Sequence, residues 1–162
     1  MPLLFWLLFL LGNSWWAILD RLSLKDRLLR MSIVVDPHYV LCAIRLESRS
    51  HLFFGCSFSC SIWENIFGLC GFVMPISGWD QELRWVCSRL KGISFQVFIL
   101  KIARCNLIYF VLEERNYRVL RGRSRSVDDA MEAIREVVCV RARSRCNSSH
   151  VNSRLCAAYG IS

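Results

Sequence analysis

Apolar residues recur at helical spacing in several stretches of this chain, with short polar or glycine-containing segments between them. The pattern predicts helices over residues 15–31, 94–120 and 127–141. The first is interrupted near Ser23, and a further helix is expected to begin in the serine cluster at residues 48–50. These elements predict a mainly α fold, in which a small helical domain with an irregular loop precedes a long, basic helical extension.

The uncharged N-terminus allows two interpretations. Residues 1–19 approach the length of a membrane-spanning helix, so they predict an anchor for a small membrane-associated protein whose arginines contact anionic lipid. The preferred alternative is a buried helix, because Gly12, Asn13 and Ser14 interrupt the apolar run. Its core face would consist of Trp15, Trp16, Ile18, Leu19 and Leu22.

The chain has 162 residues, of which 54% are hydrophobic, and this length suits one domain or one small domain with an extension. Residues 71–81 combine glycine, proline and mixed polarity, and they mark a boundary. The expected organisation is an apolar leader (1–14), a small helical domain (15–70), a linker and short helix (71–93), a helical extension (94–145) and a flexible tail (146–162).

The nine cysteines are odd in number and dispersed, unlike a disulfide framework. They favour a reducing compartment. The expected location is nuclear or cytoplasmic, with a membrane as the alternative. Most are expected to pack as small apolar side chains. A metal-ligand role is assigned only to Cys42 and Cys56.

Three residues of the loop after the first helix have the types and spacing of zinc ligands. Eight residues separate Cys42 from His51, and four separate His51 from Cys56. Two thiolates and an imidazole are three of the four ligands of a tetrahedral zinc site. Tyr39 stands where a C-x2-C pair would begin, and tyrosinate is a poor ligand at neutral pH because its ordinary pKa is about 10.

The fourth ligand therefore has several candidates. His38, next to Tyr39, is the first substitute, and water, Tyr39 itself or a distant cysteine such as Cys60 are alternatives. A weakened or lost site, whose residues only pack, is the competing hypothesis.

The spacing of His51 and Cys56 also predicts a backbone irregularity. On an ideal α-helix, side chains five residues apart point in directions roughly 140° apart. A regular helix would therefore point Cys56 away from His51. Gly55 is the expected place for the break or turn.

The run D-P-H-Y-V-L-C-A-I-R-L-E-S-R-S-H-L-F-F-G-C (36–56), with R-L-S-L-K-D-R-L-L-R before it and S-F-S-C-S-I-W-E after it, resembles a known family. This is the reverse transcriptase zinc-binding domain of plant-type non-LTR (LINE-like) retrotransposons. The resemblance covers residues 15–85 and, more loosely, 100–116 and the terminal L-C-A-A-Y-G-I-S.

The resemblance implies zinc ligands at the positions of Tyr39, Cys42, His51 and Cys56, so Tyr39 departs from the family pattern. Relatives commonly carry an acidic residue where Gly55 stands. The resemblance also implies an accessory role in handling RNA or DNA beside a retrotransposon reverse transcriptase, whose polymerase is not in this chain.

The net charge of +8 comes mainly from arginine, which favours bidentate phosphate contacts. The alternative is that the high arginine content reflects nucleotide composition and gives only a solvated basic surface. Candidate contacts to RNA or DNA are Arg21, Lys25, Arg27, Arg30, Arg45, Arg49, Arg121, Arg123 and Arg125.

The sequence does not predict an enzyme. Asp128 and Asp129 follow Ser126 in the manner of a helix first turn, and the aromatic residue that precedes the paired aspartates of a polymerase is missing. No motif places a carboxylate as the general base of a catalytic zinc site. The expected function is that of a non-catalytic, zinc-binding protein with nonspecific nucleic-acid binding, and the rivals are the membrane-associated protein and a decayed fragment without function.

Overall fold

The structure is a computed structural model that describes residues 16–73, 78–143 and 153–161. Within these ranges it is helical, and the only β pairing is an isolated bridge between His38 and Leu46. The helices are α1 (Lys25–Arg30), α2 (Ser57–Cys70), α3 (Trp79–Arg89), α4 (Phe95–Arg121), α5 (Val127–Arg143) and α6 (Ser153–Tyr159), and a π-helical turn covers His51–Gly55. The prediction of a mainly α fold is confirmed.

The core forms where α2 packs against α4 and α5. Aromatic residues of the π-helical turn and of α2 stack in sequence, with ring centroids 5.5 Å apart for Phe54 and Trp63 and 5.1 Å apart for Trp63 and Phe67. Trp79, at the start of α3, closes this stack against Phe53 and Phe54. One continuous buried core includes residues on both sides of the boundary proposed at 71–81, so that segment does not separate two cores.

The long helix α4 begins and ends close to the predicted positions. Ser94 caps its N-terminus, because the Ser94 hydroxyl accepts a hydrogen bond from the backbone N–H of Val97. Although α4 is long and apolar enough to cross a membrane, 61% of its most apolar window is buried. It therefore serves as a core helix of this bundle.

The predicted cap of the next helix is also present. The Ser126 hydroxyl accepts from the Asp129 N–H at 3.1 Å, and the Asp129 carboxylate accepts from the Ser126 N–H at 2.9 Å. These reciprocal bonds form a capping box and place Asp129 in a structural role at the start of α5.

The expected core face of the first helix is wrong in part. Among the described residues, which start at Trp16, residues 16–18 are helical, and the positive φ of 54° at Asp20 ends the turn. Trp16 and Leu19 are 52% and 41% exposed, whereas Ala17 is buried. The apolar leader (1–14), Trp15 and most of the proposed anchor (1–19) lie outside the described residues.

The flexible tail predicted for 146–162 is corrected over residues 153–161. Ser153–Tyr159 is helical, and α6 contacts α2 and α5. Leu155, Tyr159 and Ile161 are buried, and the Tyr159 hydroxyl lies 3.6 Å from the Cys70 sulfur. The C-terminal segment thus closes one side of the core.

Candidate metal centre

Residues 37–47 form a tight, hairpin-like loop that carries Cys42. The Tyr39 N–H donates to the Arg45 carbonyl at 2.8 Å, and the Tyr39 carbonyl accepts from the Ala43 N–H at 2.7 Å. The Glu47 N–H donates to the Pro37 carbonyl at 2.8 Å, which closes the base of the loop. The turn of this loop presents Cys42 toward His51, with the Cys42 sulfur 3.2 Å from the His51 Nε2 atom.

The predicted break between His51 and Cys56 is confirmed as a π-helical turn. The Cys56 N–H donates to the His51 carbonyl at 2.8 Å, an i→i+5 bond, and Cys56 has extended backbone angles (φ −84°, ψ 133°). The wider i→i+5 turn brings residue i+5 nearer to the side of residue i than an α-helix does. His51 and Cys56 consequently share one side of the backbone.

The His51 ring lies close against Gly55 in this turn. A Cβ atom built on Gly55 would lie 2.7 Å from the Nδ1 atom of His51, a distance at which one of the two groups must move. A larger residue at position 55 would therefore clash with the His51 ring.

Cys42, His51 and Cys56 converge on one point. The Cys42 sulfur lies 3.2 Å from the His51 Nε2 atom, and the three ligand atoms all lie within 4.8 Å of one another. Zinc bonds of about 2.3 Å to sulfur and about 2.0 Å to nitrogen place tetrahedral ligand atoms roughly 3.5–4 Å apart. The donor set and its spacing fit a zinc ion with little adjustment.

The surroundings favour the ligand form of the imidazole. Burial lowers the pKa of His51, and the nearby Arg45 guanidinium lowers it further, so the ring stays neutral. Burial raises the pKa of the Cys56 thiol, and Cys42 raises it further. A metal ion must therefore displace a proton from Cys56, whose position before the first turn of α2 favours the thiolate that results.

Tyr39 is a core residue that lines one side of the candidate metal site. It is fully buried, and its ring meets the His51 ring edge-on, with centroids 5.5 Å apart. Burial raises the pKa of Tyr39 far above its ordinary value, and its hydroxyl has no hydrogen-bond partner among the described residues. Tyr39 is thus a neutral phenol packed against the candidate ligands.

The loop and the turn lie in a segment with known relatives. Residues 12–63 match the family model for zinc-binding in reverse transcriptase. The resemblance of this segment to a reverse transcriptase zinc-binding domain is confirmed. No curated protein and no solved structure shows a significant match to the chain.

All three converging donors fall inside this family-matched segment, residues 12–63. His38 also falls inside it but does not join the cluster. The His38 ring is about half exposed, and its Nδ1 atom lies 2.8 Å from the Asp36 carboxylate. Because consecutive residues of extended backbone face opposite sides, the inward position of Tyr39 directs His38 outward.

Glu47 fixes the loop to the rest of the bundle. Its buried carboxylate accepts hydrogen bonds from the Lys25 N–H at 3.0 Å and from two nitrogens of Arg115 at 2.7 and 3.2 Å. One side chain thereby joins α1, the end of the metal loop and α4. No local pattern in the sequence predicts this pairing, because Glu47 and Arg115 lie far apart along the chain.

The cations predicted to contact nucleic acid fall into two groups. Five bond to protein groups: Lys25 to the His38 carbonyl, Arg27 to the Asp20 carbonyl, and Arg30, Arg49 and Arg125 to carboxylates. Arg21, Arg45 and Arg123 are exposed and have no partner among the described residues, and the Arg121 guanidinium lies over the Tyr117 ring. The second group is better placed to meet phosphate.

An open groove of about 620 Å³ lies beside the candidate ligand His51. Its walls include the exposed apolar side chains of Ile44 and Leu46, with Arg45 between them and Phe54 beneath. The groove thus combines apolar surface with an exposed cation at the edge of the metal centre.

Proposed function

We propose that this protein is a retrotransposon-derived zinc-binding protein, of LINE-like origin, that binds RNA or DNA through phosphate contacts and has no catalytic activity of its own. The observation that carries the proposal is the convergence of Cys42, His51 and Cys56 within 4.8 Å, inside the segment that matches the zinc-binding family.

Zinc at this position would act as a structural cross-link. Cys42 comes from the loop, whereas His51 and Cys56 flank the π-helical turn, so one ion would join two chain segments around the aromatic core. A site that exists only in the folded chain turns metal-binding free energy into folding free energy. Thiolate-rich donor sets are also typical of structural zinc sites.

The test of zinc binding uses the full chain. We expect about one zinc per chain after metal loading and desalting, and a loss of that zinc in His51→Ala. Cys87→Ser is the matched control, because Cys87 is an exposed thiol on α3 and should not affect the metal content. Wild-type protein without zinc would refute the proposal.

The nucleic-acid part of the proposal is supported by the net charge of +8 and by the unpaired guanidinium of Arg45 beside the groove. Each phosphate contact releases counterions, so affinity for RNA or DNA should fall steeply as salt rises. Arg45→Gln is expected to weaken binding similarly for all sequences and to reduce the salt slope by about 1.

Arg125→Gln serves as the comparison variant, because the Arg125 guanidinium is already bonded to the Glu113 carboxylate at 2.6 Å. Fluorescence anisotropy with a labelled single strand and a labelled duplex, measured over a salt series, gives both affinities and slopes. Affinity that is independent of salt would contradict phosphate binding while leaving the zinc result intact.

A further inference from the structure

We propose that Cys60 supplies the fourth zinc ligand of this centre, because Tyr39 stands at the family's ligand position but does not act as a ligand. The inference rests on the proposed zinc binding and specifies how this chain completes the site.

Cys60 lies one helical turn beyond Cys56. The Cys60 N–H donates to the Cys56 carbonyl at 2.9 Å, so the two residues stand at i and i+4 along the start of α2. Cys56 is the N-cap residue of α2, and Cys60 lies in the first turn of that helix. The start of α2 therefore carries a second thiol within one helical turn of Cys56.

The Cys60 sulfur already faces the turn that carries two of the candidate ligands. It donates to the Phe54 carbonyl at 3.1 Å, and Phe54 lies within the π-helical turn between His51 and Cys56. A thiol is a weak hydrogen-bond donor, so turning the sulfur toward a metal ion sacrifices little. The Cys60 sulfur lies outside the cluster of Cys42, His51 and Cys56, so ligation requires it to leave the Phe54 carbonyl and turn toward those three atoms.

The other candidates for the fourth position are less well placed. The Tyr39 hydroxyl is a buried neutral phenol, and the His38 imidazole is directed to solvent and bonded to Asp36. A third thiolate would give a Cys3His set, which is common among closed structural zinc sites.

The proton balance of this assignment differs from that of a two-thiolate site. Zinc binding would release one proton each from Cys42, Cys56 and Cys60 to solvent, and neutral His51 would bind without releasing a proton. A site completed by water would release the protons of Cys42 and Cys56, and the count is made below about pH 7, where zinc-bound water keeps its proton.

The test compares the full-length wild type with Cys60→Ser and with the control Cys87→Ser. The serine hydroxyl can still donate to the Phe54 carbonyl but is a poor zinc ligand, so the variant removes the ligand and keeps the structural bond. Calorimetry in two buffers of different ionisation enthalpy counts the protons released per zinc. Cobalt substitution then reports the number of thiolates through the intensity of the sulfur-to-metal charge-transfer absorption.

We expect three protons and a three-thiolate spectrum for wild type and Cys87→Ser, and two protons and a weaker spectrum for Cys60→Ser. Zinc affinity of Cys60→Ser should fall at least about 10–100-fold, the usual cost of losing a group that only supports a ligand. Wild-type zinc binding with an unchanged proton count and spectrum in Cys60→Ser would overturn the role of Cys60 alone. A wild type that binds neither metal would overturn the proposed function as well.

Discussion

Replacing Tyr39 with phenylalanine removes a single buried oxygen atom from the wall of the metal centre. Tyr39 is fully buried, and its hydroxyl has no hydrogen-bond partner among the described residues. A buried polar group without a partner costs about 1–3 kcal/mol relative to its hydrated state. Tyr39→Phe keeps the ring, its edge contact with His51 and the core volume while it removes this cost.

We therefore expect Tyr39→Phe to stabilise the metal-free protein by about 1 kcal/mol, the lower end of that range. Urea unfolding in the presence of a chelator measures the change. With a slope of about 1–3 kcal/mol per molar urea, the midpoint should rise by roughly 0.3–1 M. Zinc content should not change, because the phenol is not assigned as a ligand.

Tyr159→Phe is the matched control. Tyr159 is also buried, but its hydroxyl has a partner in the Cys70 sulfur at 3.6 Å. Loss of a paired hydroxyl should destabilise the protein by about 0.5–1.5 kcal/mol, opposite in sign to the expected effect at Tyr39. A destabilised Tyr39→Phe, or one that no longer binds zinc, would show that the hydroxyl has a partner and would refute this reasoning.

Three further predictions concern single contacts. Arg104→Met should destabilise the fold by about 3–5 kcal/mol in urea unfolding, because it strands the buried carboxylate of Glu82, which now accepts two bonds from Arg104 at 2.5 and 3.1 Å; a loss under about 1 kcal/mol would argue against the buried pair. Gly55→Ala should lower zinc affinity about 10–100-fold in a chelator competition, because its Cβ would meet His51 Nδ1 at 2.7 Å, and an unchanged affinity would mean that the ring shifts freely. Zinc affinity should rise with pH through neutrality, because burial raises the pKa of the Cys56 thiol and protons compete with the metal for its sulfur. The chelator competition repeated at several pH values measures this rise. An affinity that does not change with pH would mean that no thiol is a ligand.

Local signals in the sequence account for most of the helices. Ser94 and Ser126 marked helix starts correctly, because a cap depends on residues within one turn of itself. The C-terminal helix α6 escaped prediction, because Ser153–Tyr159 is short and its stability depends on packing against α2 and α5. Trp16 was expected in the core for the opposite reason, since its apolar character does not show that the chain turns away at Asp20.

The same distinction between local signals and tertiary packing applies to the metal centre. Residue type and spacing identified Cys42, His51 and Cys56, and helical geometry located the break before Cys56. The identity of the fourth ligand depends on which side chain faces the cluster, and that follows from tertiary packing. Adjacency in sequence favoured His38, whereas the extended backbone that buries Tyr39 turns His38 to solvent.

The packing also shows that the family-matched segment, residues 12–63, depends on contacts from the rest of the chain. Its fully buried Glu47 carboxylate is neutralised by Arg115, which lies on α4 outside the segment. A fragment ending at Trp63 would leave that carboxylate buried without its cation, or would have to open the base of the metal loop to hydrate it. It would also expose the face of the aromatic core that α4 and α5 cover. The helical extension is therefore part of the structure that holds Cys42 opposite His51, and zinc and nucleic-acid binding are properties to be measured on the whole chain.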